Sequence, residues 1–170
     1  MEQLTHNKNS GFALIEVLVT LGITAIIAIS FINLVINSHK ISRINLNNLK
    51  AELYLMEAIE AAKDLESSGW FKLLEVHCDA SYSNICHPEI NSNEWILVSG
   101  AEQLDSGLYN RYIEIEHVYR DSTTNEIVES GGFDHIDTKK VIATITWNQE
   151  GEIRSKSLET YVYNPTPPGP

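Results

Sequence analysis

The sequence predicts an α+β fold in which one long amino-terminal helix lays its second half on an antiparallel β-meander. Three observations predict it. From Phe12 to Ile36 run 25 residues with a single charge, Glu16. From Asn37 to Ser68 the chain turns polar yet contains neither proline nor glycine. Beyond residue 100, successive stretches alternate apolar with polar side chains, the mark of strands buried on one face.

At about 1.5 Å per residue, the apolar run reaches roughly 37 Å as a helix, enough to cross a bilayer. A lone carboxylate inside such a run costs a few kcal/mol unless it lies near the interface or finds a partner, which makes Glu16 a candidate functional residue. The segment before the run, residues 1–11, is polar and lacks the apolar region of a secretory signal, so the apolar run is expected to stay with the mature chain.

Past Ile36, Leu46, Leu49, Leu53, Met56 and Ile59 recur at steps of three and four, which predicts one core-facing stripe on a helix extending to about Glu66. Ser67-Ser68-Gly69 is the expected stop. Trp70 to Leu74 reads as one more turn or a packed loop, and the segment from Cys78 to Cys86, with Ser81, Ser83 and Asn84 in it and Pro88 beside it, as irregular. Trp95 to Val98 is a short strand candidate.

In the stretch from Tyr109 to Tyr119, Tyr109, Arg111, Ile113, Ile115, His117 and Tyr119 fall on one mainly apolar face, so His117 is expected to be a core histidine. Val141, Ala143, Ile145 and Trp147 alternate likewise. The turn Asn148-Gln149-Glu150-Gly151 predicts a hairpin with the strand from Ile153 to Tyr163. The proline-rich end, residues 164–170, reads as an extended tail.

A formal charge of -11 over 170 residues disfavours nucleic acid and anionic membrane surfaces as partners. The sequence holds no phosphate loop, dinucleotide fingerprint, Gly-x-Ser-x-Gly or His-Glu-x-x-His, so nothing argues for an enzyme and no cofactor is expected.

The residues Gly11, Phe12, Ala13, Leu14, Ile15 and Glu16 resemble the amino terminus of type IV prepilins and of the pseudopilins of type II secretion. The resemblance implies an α+β pilin-like fold, cleavage by a prepilin peptidase between Gly11 and Phe12, and N-methylation of Phe12. It also implies that Glu16 neutralises the terminal amine of a neighbouring subunit during assembly. Glu16-Val17-Leu18-Val19 and the stretch from Val141 through Trp147 to Thr160-Tyr161 look most similar to minor pilins of the PilV type. Many major pilins have a proline where this chain has Asn33, so nothing covalent kinks the helix there.

The implied organisation is a cleaved leader (1–11), a transmembrane and assembly half of the helix (12–36), an amphipathic half (37–66), a globular head (67–163) and a tail (164–170). The implied partners are other pilin or pseudopilin subunits, the prepilin peptidase and an inner-membrane assembly platform. Lys8 and the amino terminus lie on one side of the run, with Lys40, Arg43 and Lys50 on the other. Charge counting would therefore place the head inside, whereas the resemblance places it outside the cytoplasm, and we follow the resemblance.

In an exported head of this size, Cys78 and Cys86 are expected to form a disulfide. Zinc held by His77, Cys78, Cys86 and His87 is the alternative, less suited because adjacent residues of an extended chain point apart. Asp121, Asp134 and Asp137 are weak calcium candidates, on a spacing that matches no recognised calcium loop. A minor pilin is the leading expectation, followed by a minor pseudopilin. An adhesin at the pilus tip, or a sensor or enzyme on a single membrane anchor, are the readings from other classes.

Overall fold

A computed structural model describes residues 10–69 and 85–165, with side chains from Ala13. Among the described residues, one helix, α1 (Ser10–Ser68), precedes seven strands: β1 (Cys86–Asn91), β2 (Glu94–Ser99), β3 (Glu102–Leu104), β4 (Tyr109–Arg120), β5 (Ile127–Val128), β6 (Phe133–Gln149) and β7 (Glu152–Tyr163). All pair antiparallel in one sheet of order β2-β1-β4-β6-β7, with β3 and β5 also paired to β4. The fold is thus α+β and pilin-like, as expected. The chain divides into two compact units, residues 1–46 and 47–170.

In the first unit, every described side chain from Ala13 to Ile36 is exposed. By length and composition the helix can cross a membrane. Three hydroxyls that lipid would leave without partners bond to the helix's own carbonyls: Thr20 to Val17, Thr24 to Thr20 and Ser30 to Ile26. The backbone continues without a break through Asn33, as the missing proline implies.

In the second unit, the last part of α1 packs on the sheet through a face different from the expected one. Ala51, Leu55, Ala58, Ile59, Ala62 and Leu65 are buried, whereas Leu46, Leu49, Leu53 and Met56 are each more than half exposed. Of the expected stripe, only Ile59 lies in the core. Both rows step by three and four residues, so periodicity alone cannot choose between them; the alanines carry no bulk beyond Cβ and let the helix approach the sheet closely. Opposite them lie Tyr109, Ile113, Val141, Ala143, Ile145, Trp147 and Val162. The rings of Tyr54, Tyr109 and Trp147 form a chain, with centroids 5.5 and 6.1 Å apart.

Strand β4 keeps the predicted parity as far as Ile113, with Tyr109 and Arg111 buried beside it. A register shift between His117 and Tyr119 then turns the strand over. Val118 is buried in consequence, and His117 is exposed rather than a core residue.

The β6–β7 hairpin matches the expected turn. Gln149 faces Glu152 across a two-residue loop, Glu150 and Gly151, both at positive φ. Strand β6 begins at Phe133, so the calcium candidates Asp134 and Asp137 lie within the sheet. Strand β1 was hidden in the sequence by Pro88. Alternation from the Asn91–Glu94 closure turns the Pro88 nitrogen away from β2, toward the edge where β1 meets β4 only at Cys86, so the missing N–H costs no ladder bond.

Candidate functional site

The residues singled out for processing and assembly lie on the first turns of α1. Gly11 and Phe12 fall within the helical backbone, and Glu16 follows one turn later with an exposed side chain. The hydroxyls of Thr20 and Thr24, one and two turns further along, donate to main-chain carbonyls. The described contacts thus give the Glu16 carboxylate no partner within its own helix. This exposed carboxylate is the one charge of the apolar run and lies near the helix N-terminus, which is itself favourable for negative charge.

In the second unit, polar contacts tie α1 to the sheet at both of its ends. Tyr109 donates its hydroxyl to the carbonyl of Asn47 at 3.1 Å, and Lys50 pairs with Asp105 at 2.7 Å. Asp105 belongs to the β3–β4 turn, where Asp105, Ser106 and Gly107 all have positive φ. Hydrogen bonds from Lys50 and Tyr54 hold the Asp105 carboxyl below the usual carboxylate range. The hydrogen bond to Asp105 and its charge raise Lys50 in turn. Further along, Lys156 of β7 pairs with Glu52, and the main-chain N–H of Tyr163 donates to Glu66 at 2.6 Å.

Arg111 lies beneath the helix and is 1% exposed. Its Nε and Nη2 donate to one carboxylate oxygen of Glu102, at 3.2 and 2.6 Å, while Nη1 donates to the Tyr54 carbonyl at 2.9 Å and lies 3.5 Å from Glu57. The alternation had placed this arginine on the apolar face of its strand; what the sequence lacked was any sign of the partners, since Glu57 and Glu102 are far apart along the chain.

The three calcium candidates do not converge. Asp121 accepts the N–H groups of Thr123 and Thr124, which lower its carboxyl below the usual range. Asp134 pairs with His117 at 2.8 Å, and Asp137 accepts from the side-chain amide of Asn164. Among the described residues, no three or more His, Cys, Asp or Glu side chains gather as a metal site would need. The adjacent glycines have a conformational reason. Gly131 has φ +80°, and a Cβ on Gly132 would come 2.3 Å from the Arg120 carbonyl oxygen.

Cys86 is fully buried beside Ile113 and is disulfide-bonded. Cys78, the expected partner, lies outside the described residues, as do His77, the Trp70 to Leu74 segment and the leader up to Asn9.

Residues 6–32 match the family model for the prokaryotic N-terminal methylation motif. The match includes Gly11, Phe12 and Glu16. No curated protein and no solved structure matches the chain.

Proposed function

We propose, from the premise that this chain has the amino terminus of a type IV pilin-like precursor, that it is a minor pilin: a structural subunit that enters, or primes assembly of, a type IV pilus. The observation that carries the reading is the methylation motif over residues 6–32, which runs into a helix long and apolar enough to cross a membrane. A family built around this motif is structural rather than catalytic.

In this reading a prepilin peptidase removes residues 1–11 and methylates the amine of Phe12. The new terminus lies about one turn from Glu16. Within one chain that amine and carboxylate are four residues apart; between two staggered chains they meet as a cation and an anion in an apolar surround, where leaving either charge without its partner is costly. The subunit waits in the inner membrane as a single-pass protein with its head outside the cytoplasm, then passes into the filament through the assembly platform.

Mass spectrometry of the mature chain tests the first step, and an N-methylated Phe12 is the expected terminus. Glu16→Ala should accumulate in the membrane and fail to enter filaments while the head folds as before. An amino terminus elsewhere, or normal incorporation of that variant, removes the reading. A minor pseudopilin of type II secretion shares the motif, and the filament in which the chain is recovered, or the genes beside its own, separates the two. A tip adhesin would bind a surface or sugar through the purified head alone.

A further inference from the structure

Where the register of β4 and β6 shifts, Asp134 and Lys139 of β6 flank a bulge whose residues 135–138 stand opposite Val118. The bulge brings a carboxylate and an ammonium onto one ring atom. Nδ1 of His117 lies 2.8 Å from Oδ2 of Asp134 and 3.1 Å from Nζ of Lys139. The side chains of His117 and Asp134 are 55% and 38% exposed, whereas Lys139 is 7% exposed. Among the described residues, this nitrogen is the one hydrogen-bond partner of Lys139.

A ring nitrogen carries either a hydrogen or a lone pair, so Nδ1 cannot serve both neighbours at once. With a lone pair it accepts from Lys139 and opposes Asp134. As an N–H it donates to Asp134 and opposes Lys139. Protonation of the ring removes the first choice, because both nitrogens of an imidazolium are donors. The enclosed ammonium of Lys139 then loses its acceptor and faces a second cation. Its escape is to carry its charge out to water, as long basic side chains do.

The neighbouring groups are engaged elsewhere. On β6, His135 is bonded to Thr138, and Asp137 accepts from the side chain of Asn164. Strand β5 consists of Ile127 and Val128, and β7 sets Val162 opposite Lys139. Glu66 of α1 accepts the Tyr163 N–H, while Glu116 and Lys140 face each other on the opposite side of the sheet.

We propose that His117 is a proton-operated latch: when neutral it holds Lys139 beneath the end of β7, and when protonated it turns to Asp134 and releases Lys139, which loosens β7 around Val162. Linkage gives the direction. With Lys139 swung out, Asp134 alone faces the ring, so the proton is held more tightly in the loosened arrangement than in the closed one, and acid favours loosening. The strain falls on the strand whose end is clamped by the two hydrogen bonds from Asn164 to Asp137. The latch does not depend on the filament reading, because every group in it belongs to the head.

The test is amide hydrogen exchange of the full-length chain in detergent micelles, corrected for the intrinsic pH dependence of exchange. It compares about pH 7.5 with about pH 5.5, an interval over which histidine ordinarily gains charge. Exchange at Lys139 and Val162 should quicken in acid by up to about fivefold, the scale that one partly exposed ion pair supports. Ile113 and Ile145, central in the sheet, should change little. His117→Asn, which does not titrate, and Lys139→Met, which keeps much of the length without the charge, should each remove the rise. Unchanged exchange in the parent chain overturns the proposal, as does a rise that persists in His117→Asn. A rise that survives Lys139→Met would take the lysine out of the latch and overturn it equally. If Lys139→Met does not fold, the parent and His117→Asn decide.

Discussion

The guanidinium of Arg111 donates to the main-chain carbonyl of Tyr54 at 2.9 Å, so a central strand of the sheet is fixed to the helix by a directed charge as well as by apolar contact. The same group is held from its other side by Glu102 on β3. One buried cation thus registers three elements: the helix, β3 and β4.

Removing the partner should therefore cost more than removing the cation. Glu102→Ala leaves a guanidinium that is 1% exposed with a carbonyl and a 3.5 Å contact to Glu57, and should lower stability by about 3 kcal/mol. Arg111→Met fills much of the same volume without a charge and should cost about half of that. Denaturant unfolding of the purified head decides the order, and the reverse order would show that the bond from Arg111 to the Tyr54 carbonyl outweighs its pairing with Glu102.

Because the helix meets the sheet through alanines, enlarging one should hurt more than trimming the outer row. Ala58→Leu or Ala62→Leu should destabilise by about 1 to 3 kcal/mol through overpacking, while Leu53→Ala should stay within about 0.5 kcal/mol. The sequence pattern alone would have assigned Leu53→Ala the cost of a core truncation, so this pair of variants separates the two faces.

The Lys50–Asp105 pair sets limits to stability at both ends of the pH scale. Asp105 has a lowered carboxyl in the folded state. Its contribution is present above the ordinary value of 3.8 and is lost as pH falls through the lower folded value. Lys50 is raised, so its contribution is complete below 10.5 and is lost as pH rises through the higher folded value. Asp105→Asn should lower the centre of a plot of unfolding midpoint against pH slightly and leave its acid and alkaline ends where they are, which flattens both flanks. Equal slopes in variant and parent would remove the pair from the account.

The disulfide that we propose between Cys86 and Cys78 closes a short loop and should add about 2 to 3 kcal/mol. Neither thiol should react with an alkylating reagent before reduction. Reduction should lower the unfolding midpoint while the β-sheet circular dichroism remains, and metal retained by the purified head would revive the zinc alternative.

The fold was legible where a single period governed a segment. The apolar run, the breaker-free stretch after it, the parity of Tyr109, Arg111 and Ile113, and the Glu150-Gly151 turn all follow from local rules. Three features escaped because a second influence overrode the local one. The helix is apolar on two faces, and its alanines outrank its leucines only once the sheet is present. The shift after His117 exchanges the faces of β4 without any glycine or proline to announce it. Pro88 reads as a breaker although its strand has no need of the missing donor. The residues proposed for processing and assembly, Gly11, Phe12 and Glu16, were legible in the sequence, and the chemistry proposed for them lies between chains.

The pairing of Glu66 with the Tyr163 main chain, and of Glu52 with Lys156, has a consequence for the order in which the protein takes shape. These contacts join positions 97 and 104 residues apart, and Val162, near the end of the last strand, is wholly enclosed. At about 5 to 20 residues per second of synthesis, the helix exists for several seconds before the strand that completes its cover has been made. Throughout that interval its alanine face is uncovered, and a nascent chain halted at Gly151 should be digested by protease at rates far above those of the finished head. The twelve residues of β7 therefore act as a completion signal: until they arrive, the helix has no finished cover on its sheet side.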